Sequence, residues 1–113
     1  GGMSQRAALG RVMAQSPDVL LLDEPFGALD ALTRERISLD LLRVWDQQKQ
    51  TVLMVTHDIQ EAVLLSDRVL VMSQRPGQIV DDVRINLPRP RSPEMTFDTH
   101  FITFARRVRE GIS

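Results

Sequence analysis

The run Val19-Leu20-Leu21-Leu22, closed by Asp23-Glu24-Pro25, constrains this chain more than any other stretch. It is too short for a useful helix and is bounded by turn formers, so it reads as a strand buried on both faces. Two adjacent carboxylates end it, and Pro25 forbids further ladder pairing. In an open parallel sheet, ligands sit beyond the carboxyl ends of the strands, which is where Asp23 and Glu24 fall. One acid to hold a hydrated Mg²⁺ and a neighbour to orient a water is what phosphoryl transfer needs. Acid pairs at strand-to-loop corners are also common as plain structure, so the rest of the chain has to decide.

A second continuous apolar run, Thr51 to Thr56, predicts another buried strand, and it finishes on His57-Asp58. If the two strands are parallel neighbours, His57 lands at the same rim as Asp23 and Glu24. Between them, Gly27-Ala28-Leu29-Asp30 leads into a helix over about 31–48. Ile37, Leu41, Val44 and Trp45 share one face of it, Arg34, Glu35, Asp40, Arg43 and Asp46 supply the charged surroundings, and Asp30 is placed to be its N-cap. Upstream, Gly1-Gly2 precedes a helical pattern over 7–15 that Ser16-Pro17 stops. Two glycines before a helix can cradle an anion on bare backbone N–H groups, or can be a flexible terminus.

Downstream, Asp58 to Leu65 reads as a short helix with Ile59, Ala62, Val63 and Leu65 inward. Arg68–Ser73 and Ile79–Ile85 flank Arg75-Pro76-Gly77-Gln78 and predict a hairpin. Leu87-Pro88-Arg89-Pro90-Arg91-Ser92-Pro93 reads as a linker. Phe97, Phe101, Phe104, Ala105, Val108 and Ile112 then mark one face of an amphipathic helix, with Arg106, Arg107 and Arg109 on its other, solvated side.

Composition narrows the class. The 113 residues make one domain at most, with the 42% hydrophobic and 26% charged content of an ordinary globular chain. A net charge of −1 argues against a dedicated nucleic-acid surface. There is no cysteine, hence no disulfide framework or thiolate metal site. No apolar run approaches the roughly 18 residues of a membrane span, and the first residues lack a signal-peptide pattern.

Taken together, the motifs resemble the ATP-binding subunits of ABC transporters. Gly1-Gly2-Met3-Ser4-Gln5-Arg6 looks like the second half of their signature, and Val19 to Pro25 like the Walker B strand. Ala28-Leu29-Asp30 resembles the D-loop, and Val55-Thr56-His57-Asp58 the switch-histidine segment. The Pro-Phe-Gly-Ala-Leu-Asp wording, the Arg-Pro-Gly hairpin and the Leu-Pro-Arg-Pro-Arg tail are similar to the nitrate, sulfonate and taurine importer branch.

The resemblance implies an α/β fold: an incomplete P-loop NTPase-type sheet with parallel core strands, flanking helices, a C-terminal β-hairpin and a terminal helix. Residues 1–86 would be the C-terminal part of the ATP-binding domain, and 87–113 a linker and C-terminal helix. Asp23 would hold Mg²⁺, Glu24 would polarise the attacking water, and His57 would contact the γ-phosphate of ATP. Gly1 and Gly2, with Met3 beside them, would face ATP held by the second subunit of a head-to-tail dimer, and Asp30 would lie at that interface, linking the two sites. Met3 stands where many relatives carry glutamine, so it offers no side-chain hydrogen bond. The implied partners are a second ATP-binding subunit, a transmembrane permease and, indirectly, a solute-binding protein. The implied location is peripheral, on the cytoplasmic face of the membrane.

No G-x-x-x-x-G-K-[ST] phosphate loop occurs in these residues, nor the glutamine loop, nor the signature's own serine. The expectation is therefore the C-terminal portion of a longer importer subunit, inactive alone, with an unpaired edge on strands 18–23 and 51–56. Two other readings stay open: a non-catalytic partner supplying a signature half-site in trans, and a soluble ABC-type ATPase acting on nucleic acid or ribosomes. Near-neutral charge stands against the last.

Overall fold

The computed structural model describes residues 19–74 and 77–112. The chain is α/β and divides into two compact units, residues 1–57 and 58–113. The expected helix over 7–15 lies outside the described residues.

In the first unit, β1 (Val19–Asp23) and β2 (Thr51–Val55) pair in parallel, in register from Val19 opposite Thr51 to Asp23 opposite Val55. Helix α1 (Ala31–Gln48) connects them. It starts because Asp30, in extended conformation, accepts from the Thr33 backbone N–H at 2.8 Å, satisfying a donor that the first turn leaves orphaned. It stops at Lys49, whose left-handed φ of 57° lets its N–H reach Trp45 O at 2.6 Å. A non-glycine there costs on the order of 1 kcal/mol. Local contacts offset that cost: Lys49 Nζ lies 4.6 Å from the Trp45 ring centroid, and the indole N–H donates to Gln50 O at 2.6 Å. Ile37 and Leu41 are buried as their spacing predicts, with Val44 and Trp45 half-buried.

The expectation of strands buried on both faces is corrected. Leu20 is buried, whereas Leu21 is 69% and Leu53 55% exposed, and Val19 and Val55 also face solvent. Side chains alternate across a strand, so covering one face leaves every second residue open. Among the described residues β1 and β2 pair only with each other.

The second unit holds α2 (Ile59–Leu65), the antiparallel hairpin β3 (Arg68–Met72) and β4 (Ile79–Arg84), a 3₁₀ turn over Pro93–Phe97, and α3 (Thr99–Ile112). Val63, Leu64, Val71, Val83, Ile85, Phe101 and Val108 form its core. Leu64, not Leu65, is the buried leucine of α2. Burying Phe101 alone is worth about 1.5–3 kcal/mol. At the surface, Arg107 binds Asp81 through two bonds of 2.8 and 2.9 Å, tying α3 to β4. Arg68 grips Asp82 across the hairpin in the same two-pronged way, at 2.6 and 2.7 Å.

Two expectations are revised here. Phe97 precedes α3 and is 85% exposed, so it is not part of the buried stripe. The proline-rich stretch 87–92 has no regular structure, but it is not a free linker. The Arg91 side chain is 1% exposed, with Nη1 donating to Val63, Leu64 and Ser66 carbonyls at 3.0–3.1 Å and Nη2 to Ile85 O at 3.4 Å. Desolvation, helped by neighbouring Arg89, pulls its pKa down to about 10, so it stays charged at neutral pH. Prolines deny this segment ladder hydrogen bonds, and guanidinium forks anchor it instead.

Candidate active site

The site is built at the carboxyl rim of β1 and β2. Because these strands are parallel, both chains leave the sheet at the same end. Asp23 is the last residue of β1, directly opposite Val55, the last of β2. One residue on, Glu24 adopts a left-handed φ of 44°, rare for a residue with a Cβ. Its N–H donates to Val55 O at 2.7 Å, so the ladder extends one bond past the strand before Pro25 ends it. Pro25 and Phe26 are buried beneath the turn, Phe26 at 1% exposure. Turn bonds from Gly27 N to Glu24 O (3.2 Å) and from Leu29 N to Phe26 O (3.1 Å) complete the corner.

This corner brings the two distant motifs together. His57 Nε2 lies 2.7 Å from Glu24 Oε1. The His57 side chain is 92% exposed and that of Glu24 44%, so the pair adds at most about 1 kcal/mol of stability. Its worth lies elsewhere: a carboxylate and an imidazole held within one hydrogen bond of each other, open to a ligand. Asp23 is exposed, and its carboxylate makes no hydrogen bond or ion pair among the described residues. A hard, exposed carboxylate at the same rim as that pair fits Mg²⁺, which keeps most of its waters and needs no protein cage. No cluster of three or more metal-ligating side chains occurs among the described residues, so any cation would lean on its ligand's oxygens as well.

Asp30 stands apart from this cluster in role. Oδ1 accepts from Thr33 N at 2.8 Å and Oδ2 from Thr33 Oγ1 at 2.9 Å. Those bonds, the backbone one foremost, hold its pKa below the ordinary Asp value. The N-cap function read from the sequence is therefore present, and both carboxylate oxygens are spent on it. Arg34, which the sequence reading left among surface charges, turns Nη2 to Leu29 O at 3.1 Å and braces the loop against α1. The Asp-x-x-Thr spacing could have signalled the double cap; nothing local announces the left-handed Glu24. Gly1, Gly2 and Met3 lie outside the described residues.

No family model matches the chain. Among curated proteins it is 55% identical over 92 residues to an aliphatic sulfonates import ATP-binding protein of Bacillus cereus, covering 81% of this chain and 37% of that protein. An ATP-binding protein of Brucella melitensis is 45% identical over 108 residues, 96% of this chain and 46% of its own length. An uncharacterized ABC transporter ATP-binding protein of Methanocaldococcus jannaschii is 53% identical over 91 residues, 80% of this chain and 34% of its own length. The chain spans less than half the length of each. Over the part of these proteins that it spans, the chain is a homologue of ABC-transporter ATP-binding proteins, at 45–55% identity.

Proposed function

We propose that this segment supplies the hydrolytic corner of an importer's ATP-binding subunit, which drives uptake of a small solute of the nitrate, sulfonate or taurine kind. The subunit would lie on the cytoplasmic face of the membrane, against a permease and paired with a second copy. The observation that carries the reading is the 2.7 Å contact between His57 and Glu24 at the rim that also bears Asp23. The sulfonate-import name of a relative at 55% identity supports the solute class.

The chemistry asked of these residues is positioning and proton handling. Glu24 accepts a hydrogen bond from the attacking water and draws its proton toward Oε1. His57, donating from Nε2, holds that carboxylate and can turn to the terminal phosphate, aligning water and phosphorus. Asp23 would hold Mg²⁺, which when bound neutralises charge developing on the phosphate oxygens. Gly1, Gly2 and Met3 would serve ATP bound by the second copy. Asp30, committed to Thr33, would act at the subunit interface through the backbone it fixes.

The isolated 113 residues contain no phosphate loop and are expected to show no appreciable ATP turnover. In a full-length subunit carrying this segment, Glu24→Gln should lower turnover about 10²–10⁴-fold, the usual share of a general base. Turnover at the unsubstituted rate in Glu24→Gln would overturn this reading, whereas ATPase activity of the isolated chain that Glu24→Gln abolishes would overturn only the expected inactivity of the isolated residues.

A further inference from the structure

We propose that Phe26 is a positioning residue for Glu24, holding its carboxylate at the rim; this rests on the reading of Glu24 as the group that polarises the attacking water. The backbone of Glu24 is set against two local preferences. Its left-handed φ of 44° is rare for a residue with a Cβ. It also precedes Pro25, and a proline ring steers the residue before it toward extended conformations. A residue held so far from what its neighbours favour stays there only when the surrounding structure over-determines it. The corner, its hydrogen-bond partners and His57 all lie within residues 1–57, one compact unit.

Hydrogen bonds tie the loop 24–30 at both ends. Glu24 N–H donates to Val55 O at 2.7 Å, and Gly27 N–H returns to Glu24 O at 3.2 Å. Further on, Leu29 N–H donates to Phe26 O at 3.1 Å, and Arg34 Nη2 holds Leu29 O at 3.1 Å. Side chains add one deep anchor. Glu24, Gly27, Ala28 and Asp30 are exposed and Leu29 is half-buried, so only Pro25 and Phe26 go inward. Pro25 brings a small ring and no N–H. Phe26, at 1% exposure, is the bulkiest side chain that the loop buries, and it sits two residues from Glu24. Without its ring the loop is free to move, and Glu24 relaxes toward the extended backbone that a residue before proline favours. Its carboxylate then leaves the 2.7 Å contact with His57 Nε2 and the place where it meets the water. A displacement of about 1 Å in a group that aligns reactants can cost up to about 10²-fold in rate.

In a full-length subunit carrying this segment, Phe26→Ala should lower kcat for ATP roughly tenfold to a hundredfold, with KM little changed. Phe26→Leu fills most of the space and should lower kcat about threefold to tenfold; it decides the matter if Phe26→Ala does not fold. A merely structural role would lower the yield of folded protein and leave turnover per folded molecule alone, and that result would overturn the proposal. Combining either variant with Glu24→Gln should give a rate no lower than Glu24→Gln alone, because both act through one carboxylate. Rate losses that multiply would also overturn it. Hydrogen exchange in the same protein reads the backbone directly. The amides of Glu24 and Gly27 should exchange faster in both variants, and unchanged exchange at the two would count against the anchor in the same way. Should Glu24→Gln itself turn over at the unsubstituted rate, the reading of the site fails first. Should Glu24→Gln be defective while both Phe26 variants turn over normally, the positioning role alone fails.

Discussion

Replacing Gly111 with alanine tests how closely α3 is seated on the hairpin. A Cβ at that position would lie 2.9 Å from Val71 Cγ1, 3.5 Å from Val71 Cβ and 3.7 Å from Val80 Cγ2. The first distance is shorter than carbon atoms tolerate, and Val71, at 3% exposure in the core, has little room to yield. Overpacking of this kind costs about 1–3 kcal/mol. Against it stands the gain of alanine over glycine in a helix, at most about 1 kcal/mol in an interior and less here, next to the final residue of α3. The cost wins, and Gly111→Ala should destabilise the second unit by about 1–2 kcal/mol. The assay is native-state hydrogen exchange at core amides such as Val83 and Phe101, which follows this unit independently of the first. Adding Val71→Ala removes the obstructing methyls, so in that background the same change should become neutral or favourable, a coupling of about 1 kcal/mol. Equal or greater protection in Gly111→Ala alone would refute the reasoning.

Other outcomes follow from the same contacts. Asp30→Ala removes both bonds to Thr33 and should fray the first turn of α1, read as faster exchange at residues 33–35, with Asp30→Asn losing less and Thr33→Val least. Asp81 and Asp82 have lowered pKa values, chiefly through hydrogen bonds from Arg107 and Arg68 respectively, as does Asp30 through Thr33. Their folded values lie below their unfolded ones, so their stabilisation is complete above about pH 4. It is lost as pH falls through the folded values, where the unfolded chain binds more protons. An acid titration of thermal stability should therefore be flat near neutrality and fall below pH 4, less steeply in Asp81→Asn. The exposed apolar side chains on one face of β1 and β2 should make the isolated chain associate with rising concentration, and Leu21→Lys or Leu53→Lys should suppress this by sedimentation; association unchanged by either would locate the contact elsewhere.

Much of this molecule was legible in advance because its signals are local. The helix over 31–48 appears with the bounds its spacing predicts, since Asp30 and the Ile37–Leu41 stripe act within a few turns of themselves. The two β-rich runs formed the antiparallel hairpin, and the parallel partnership of the two apolar runs brought Glu24 and His57 to one rim. Misreadings fell where a residue answers to distant neighbours. Phe97 matched the helical period but lies before the helix, since Asp98 O and Asp98 Oδ1 receive the first free N–H groups, from Ile102 at 3.0 Å and His100 at 2.8 Å. Arg91 sat in a stretch whose prolines promised only a linker, and no local pattern tells a buried guanidinium from a solvated one.

Periodicity, capping residues and turn formers, all short-range effects, determined by themselves which segments are helix or strand and which acids and imidazole stand at strand ends. Tertiary structure alone decided which face of β1 is covered, that Glu24 takes a left-handed turn within reach of His57, and that Arg89 and Arg91 close a helix some 25 residues upstream. The physical reason is that burial and hydrogen-bond satisfaction are accounts settled among groups far apart in the chain, while propensity is settled among neighbours.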